Sequence, residues 1–156
     1  MEYAKLGNTD IEVSKLCIGC MSFGKAGTMH DWTLDAQESE KVIKHALDLG
    51  INFFDTANCY SAGTSEEYLG QALKKNVARD KVVIALKVYF NEGRLSKVAI
   101  EREIDGSLKR LGTDYLDLYI IHRFDFDTPI EETMEALDGL VKAGKVRAIG
   151  ASAMYG

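Results

Sequence analysis

Four side chains in this 156-residue sequence could act together on a single oxygen atom: Asp55, Tyr60, Lys87 and His122. A tyrosine titrates near ~10 and holds its proton firmly at neutral pH. A lysine ammonium beside it stabilises the phenolate and is expected to lower that value. Asp55 would pair with Lys87, keeping it charged and positioned. His122 would donate a hydrogen bond that orients the substrate oxygen. Such a set suits protonation of an oxygen that is becoming an alkoxide, as carbonyl reduction by hydride transfer requires. None of these residues can supply a hydride, so a nicotinamide cofactor is implied.

Taken singly, each residue has an ordinary explanation. An Asp at a strand end forms turns, a Lys there snorkels outward, and a lone His is usually structural. Their place in the chain is what makes them a set. Strand-like runs begin at Leu16 ("LCIG"), Ile51 ("INFF"), Lys81 ("KVVIAL"), Leu116 ("LDLYII") and Val146 ("VRAIG"). They recur about every thirty to thirty-five residues, the size of one βα unit. Ahead of them, "YAKLG" and "IEVSKL" flank the turn "GNTD" and read as a β-hairpin.

Helix signals fill the gaps. Asp35 with Glu38 opens a helix whose Val42, Ile43, Ala46 and Leu47 form an apolar stripe ending at Gly50. Thr64 with Glu67 opens a shorter one containing Tyr68, Leu69, Ala72 and Leu73. Ser96 caps a third, which carries Ile100, Ile104, Leu108 and Leu111 before Gly112. In the fourth, Thr128 is the N-cap, Pro129 the first helical residue and Glu131 the third. Met134, Leu137, Leu140 and Val141 then follow up to Gly144.

Alternating strands and helices imply a parallel sheet, either open and doubly wound or closed as a (β/α) barrel. A dinucleotide fold of the open kind would want G-x-G-x-x-G after its first strand. Here "GCMSFGKAG" follows, without that spacing, so the barrel is favoured. Barrel chemistry gathers at the C-terminal ends of the strands. Read in order, the second strand ends at Asp55, the third at Lys87, the fourth at His122 and the fifth at Ser152, with Tyr60 in the loop after Asp55. Consecutive strands therefore converge on one mouth.

Composition adds boundaries. The chain is 46% hydrophobic and 28% charged, with a net charge of -5 and scattered basic residues, which disfavours a nucleic-acid partner. No apolar run approaches the ~18 residues of a membrane span. "MEYAKLGNTD" lacks the basic and apolar regions of a signal peptide, so a cytoplasmic protein is expected. No internal domain boundary is evident, and residues 1–156 read as one domain. Three cysteines do not make a disulfide framework. Cys17 and Cys20 match C-x-x-C, but no second ligand pair follows. They are expected to be small buried strand residues, and no metal site is expected. Cys59 precedes Tyr60, and the sequence leaves its reactivity open.

The segments "FDTANCY" and "RLGTDYLDLYIIH" together resemble the aldo-keto reductase family. The likeness runs through "GTSEEYLGQAL", "VVIALKV" and "TPIEETMEALDGLVKAGKVRAIGAS". "CIGCMSFG" and "IHRFDFDTPIEET" are most similar to the larger bacterial branch, which also holds the potassium-channel β-subunit relatives. The resemblance implies a (β/α)8 TIM barrel with an N-terminal hairpin, of which this chain holds about the first five strands. It also implies a catalytic tetrad of Asp55, Tyr60, Lys87 and His122, with Tyr60 as general acid. NADPH would lie across the barrel mouth, close to Asp55. Ser152 would hold the nicotinamide amide, and backbone around Gly19, Cys20 and Met21 would line the same end of the cofactor.

Two positions depart from the family pattern. Leu86 stands where Thr often precedes the lysine, and Ala153 follows Ser152 where Asn is usual, which removes one amide contact. Length departs further, since a complete barrel takes about 250 residues. The chain is therefore expected to be the N-terminal portion of a longer barrel, with a half-barrel paired to a second copy as the alternative. The implied substrate is a small carbonyl compound, and a homo-oligomer is compatible with the sequence. Two other functions compete: a Schiff-base aldolase using Lys87, and a cofactor-binding regulatory subunit without significant turnover.

Overall fold

The computed structural model describes residues 1–154. β1 (Tyr3–Lys5) and β2 (Glu12–Ser14) form the antiparallel hairpin, with Ala4 opposite Val13. Five parallel strands follow: β3 (Cys17–Gly19), β4 (Phe53–Ala57), β5 (Val83–Val88), β6 (Leu116–Ile121) and β7 (Val146–Ala151). Their spatial order is their order in sequence, β3-β4-β5-β6-β7. Between them run α1 (Ala36–Asp48), α2 (Thr64–Asn76), α3 (Lys97–Leu111) and α4 (Ile130–Lys142). Sequential parallel pairing with one helix per crossover is the stave arrangement of a (β/α)8 barrel, and this chain supplies its first five strands.

Two apolar clusters hold the staves. The larger one lies between sheet and helices: Phe54, Ile84, Leu86 and Tyr119 meet Ile43, Leu69, Ile100, Ile104 and Leu137. The smaller one joins Ile11 and Val13 of the hairpin region to Val83, Phe53 and Ala148 near the strand starts. The hairpin thus covers the N-terminal end of the inner face and leaves the C-terminal end open. Asp117, buried on β6, ties that lower end together. It accepts from Arg79 Nη2 at 2.7 Å, Arg147 Nη1 at 2.9 Å and the Ile84 amide at 3.0 Å.

Local sequence sets two helix starts as expected. Asp35 caps α1 in a full capping box, its Oδ1 accepting from the Glu38 amide at 2.9 Å. Ser96 caps α3, which ends on Gly112 at φ +66. The other two starts differ. α2 is 13 residues long, no shorter than α1, and its N-cap is Gly63. Thr64 is its first helical residue, and its hydroxyl bonds the Ser61 carbonyl instead of an orphan helix amide. At α4 the N-cap is Pro129, because the Thr128 hydroxyl donates to Asp125 Oδ2 at 2.7 Å. Both threonines serve the loop ahead of the helix. Val42, expected on the apolar stripe of α1, is 41% exposed, while Ile43 and Ala46 are buried.

Candidate active site

The strand ends need one correction. β4 runs on to Ala57 and β5 to Val88, so Asp55 lies within its strand and Lys87 is penultimate. In the sheet Asp55 stands between Gly19 and Ala85, whereas Lys87 stands between Ala57 and Ile120. The two residues are one strand and two register positions apart, and alternation puts both side chains on the same face. The long lysine side chain closes the offset, and Lys87 Nζ bonds Asp55 Oδ1 in an ion pair. Lys87 is 8% exposed as a residue.

Tyr60 follows on a short turn after β4 and is itself buried. Lys87 Nζ lies 5.2 Å from the centroid of its ring. His122, one residue past β6, meets Tyr60 edge to face with centroids 5.9 Å apart. Its amide donates to the Val88 carbonyl at 3.1 Å, and its Nδ1 is buried without a partner. Asp55, Lys87, Tyr60 and His122 are therefore contiguous at the C-terminal end of the sheet, as the strand pattern predicts.

Ser152 sits just past β7, its amide donating to the Ile121 carbonyl and its hydroxyl to the His122 carbonyl, both at 2.9 Å. Gly19 ends β3 beside Asp55, and a Cβ there would touch nothing within 4 Å. Cys20 turns its side chain into the core and its carbonyl accepts from Ser65 Oγ of α2 at 2.7 Å, and Met21 is exposed.

Electrostatics alter one expectation. Burial pushes the Tyr60 phenol above its ordinary value; the Lys87 ammonium opposes this and the Asp55 carboxylate adds to it. Lys87 acts in the expected direction, yet the net shift is upward, because desolvation of a phenolate outweighs one nearby cation. His122 moves the other way. Burial lowers its pKa, Lys87 and Arg123 reinforce that, and Asp55 opposes it.

The cysteines also need correction. Cys17 is exposed, not buried, and Cys20 lies in the turn beyond β3. Partial desolvation of the sulfur by its neighbours and the Asp55 charge hold the Cys17 thiol up at about 11, and burial pushes up Cys20 and Cys59. Thiolate chemistry is disfavoured at all three. Among the described residues no cluster of three or more His, Cys, Asp or Glu side chains is arranged for a metal. No described helix is long and apolar enough to cross a membrane.

Several participants escaped the sequence reading. Phe90 packs edge to face on His122 at 5.0 Å, and Arg123 lies over Phe90 at 5.7 Å. The aromatic pair "YF" directly after the Lys87 strand was the available signal. Asn58 is buried in the Tyr60 loop. Its amide donates to the Lys87 carbonyl at 3.1 Å, and its Nδ2 reaches Asn91 and Glu103 at 3.0 and 2.9 Å. It ties the loops after β4 and β5 to each other and to α3.

Comparison with known proteins agrees with this architecture. The profile described as "Aldo/keto reductase family" matches residues 15–155. Versiconal hemiacetal acetate reductase of Aspergillus parasiticus is 44% identical over 178 aligned residues, covering 99% of this chain and 51% of its own length. Aldo-keto reductase YhdN of Bacillus subtilis is 43% identical over 158, covering 97% and 47%. Among solved structures, the holo form of aldo-keto reductase AKR11C1 from Bacillus halodurans superposes with a TM-score of 0.85 at 37% identity, covering 99% of this chain and 51% of that one. The chain spans about half the length of the curated relatives it matches. With the profile match, the five-stave sheet and these relatives in agreement, the chain belongs to the aldo/keto reductase family.

Proposed function

We propose that the protein reduces an aldehyde or ketone to an alcohol, with Tyr60 as general acid and Asp55, Lys87 and His122 arranged around it. The observation that carries this reading is the contiguity of the four side chains at the open end of the sheet: the Asp55–Lys87 ion pair, Lys87 beside the Tyr60 ring, and His122 against its edge. NADPH would supply the hydride. The residues present suit its nicotinamide end. Gly19 leaves open space beside Asp55, and the backbone from Gly19 to Met21 and the polar Ser152 would hold it there.

The chain's own residues account for the proton. Upward-shifted Tyr60 is fully protonated at neutral pH, as a donor must be. As the substrate oxygen gains negative charge, the Tyr60 hydroxyl proton moves to it and the O–H bond of the alcohol forms. The phenolate left behind is stabilised by the adjacent Lys87 ammonium, and solvent restores its proton. Asp55 fixes that ammonium through the ion pair. His122, kept neutral by its lowered pKa, orients the substrate oxygen without adding a charge to the cluster. An imine-forming role for Lys87 is disfavoured, since a Schiff base needs a free neutral amine and this one is engaged with a carboxylate.

Replacing Tyr60 with Phe tests the reading. Carbonyl reduction should fall by about 10²–10⁴-fold, while quenching of NADPH fluorescence on binding persists. Reduction at near the original rate would end it.

A further inference from the structure

The turn that carries Tyr60 holds an unusual backbone. Ser61 at φ 47 and Ala62 at φ 53 are both left-handed, and Gly63 follows at φ +91. Two consecutive non-glycine residues in that region are strained, and such strain persists only where the surroundings over-determine it. The surroundings here are two walls.

One wall is the loop after β3. Ser61 is fully buried against Gly24, so closely that a Cβ on Gly24 would lie 2.3 Å from the Ser61 Cβ. Thr64 fastens this side. Its hydroxyl donates to the Ser61 carbonyl at 2.7 Å and accepts from the Lys25 amide at 2.8 Å. The other wall is Arg110, reaching over from α3. A Cβ on Gly63 would lie 2.8 Å from Arg110 Cδ and 3.0 Å from its Nε. The arginine is itself fixed by Glu66 on α2, whose Oε2 accepts from Nε at 2.5 Å, and by Ser107 Oγ at 3.2 Å from Nη2. The Glu66 side chain is fully buried, and its second oxygen is buried without a partner. A buried ion pair with an unsatisfied oxygen is a poor way to add stability, because desolvation offsets most of the attraction. Fixing one geometry is what it does well.

We infer that the Glu66–Arg110 pair, outside the sheet and touching no reacting atom, positions Tyr60 by bracing the left-handed turn Ser61–Gly63 against Gly24. The inference rests on the reading of Tyr60 as the proton donor. It adds that the acid's placement is set from the helical layer and not only from the barrel mouth. Glu66 and Arg110 are positioning residues. Without the brace the turn relaxes, Tyr60 gains solvent, and its phenol moves down toward the ordinary tyrosine value.

The test uses the full chain with 13Cζ-labelled tyrosine, the Tyr60 resonance being assigned from Tyr60→Phe. Arg110→Met and Arg110→Lys are each titrated by NMR, unfolded in urea and assayed for carbonyl reduction. The lysine variant keeps a charge beside Glu66 but cannot seat on Gly63 and hold Glu66 at once. We expect the Tyr60 midpoint to fall toward about 10 in both variants, more in the methionine one. The turnover number should drop about ten- to hundredfold with the Kd for NADPH unchanged. Loss of stability with the Tyr60 midpoint and the pH profile of turnover unmoved would overturn the inference, leaving the pair a plain helix–helix contact. If Arg110→Met does not fold, Arg110→Lys decides alone by the same readouts. The titration reads the placement of Tyr60 whether or not carbonyls are reduced. A shifted midpoint in a protein that never reduces a carbonyl would therefore sink the reductase reading and leave the brace intact.

Discussion

Asp55 and Lys87 form an ion pair although neither is the other's register partner: Asp55 stands opposite Ala85, and Lys87 opposite Ala57. The diagonal brings the lysine head down beside the acid and leaves the ammonium 5.2 Å from the Tyr60 ring centroid. Charge on either residue therefore acts on the phenol. Lys87 pulls the Tyr60 pKa down and Asp55 pushes it up, against a background of burial that pushes it up further. Lys87→Met should raise the Tyr60 midpoint beyond its present shifted value and cut carbonyl reduction by at least about 10²-fold. NMR titration of labelled tyrosine together with a rate assay checks both. A midpoint that falls would contradict the assigned coupling.

His122 predicts the acid side of the stability profile. Burial and the Lys87 and Arg123 charges lower its pKa in the folded chain. The unfolded chain then binds the proton more readily, so stability drops as pH falls from about 6.5 toward the lowered folded value. Above that window the term is constant. In His122→Gln the slope of the urea midpoint against pH should flatten across the window. An identical slope in both proteins would rule out His122 as its source.

Asp117 supports the opposite end of the sheet. Asp117→Ala removes the acceptor of the Ile84 amide and the carboxylate that neutralises Arg79, whose guanidinium keeps only Thr113 Oγ1 and the Val82 and Tyr115 carbonyls. Of the two arginines on Asp117, Arg147 is the more exposed, so water recovers part of its loss. A destabilisation of about 3 kcal/mol is expected from urea unfolding. The site at the far end should keep its Tyr60 titration unchanged in the folded variant, and a shifted one would mean that the two ends are coupled.

Gly70 on α2 allows that helix to approach α3 through backbone alone. A Cβ there would lie 2.2 Å from the Leu111 carbonyl oxygen, a contact no rotamer change relieves. Gly70→Ala should therefore destabilise by about 1–3 kcal/mol despite alanine's better helix propensity. A more stable alanine variant in thermal unfolding would show that the helices have room to separate.

The order of elements was written locally. Strand and helix periods, the capping box at Asp35 and Glu38, and Ser96 before α3 each depend on residues within a few positions of one another, and each appears as the pattern implies. That Asp55, Tyr60, Lys87 and His122 lie together at one end of the sheet was equally legible, because parallel strands all point their C-terminal ends the same way; how far β4 and β5 run past Asp55 and Lys87 was not. Thr64 and Thr128 misled as caps for a three-dimensional reason: their hydroxyls were taken by Ser61 and Asp125 in the loops ahead.

What the chain packs against could not be read from its order. Lys87 is visible in the sequence as a charge that lowers a phenol's pKa, but the burial that overrides it exists only once the turn is seated between the loop after β3 and Arg110 of α3. Gly63 could have announced a left-handed position, but nothing in the types of Ser61 and Ala62 shows that the two residues before it are left-handed as well. The turn is imposed by Gly24 on one side and by Arg110, held to Glu66, on the other. Residue types and spacing determined which side chains could do the chemistry. Desolvation and the contacts across the helical layer, which arise only in the folded chain, decided how Tyr60, the proposed acid, is held.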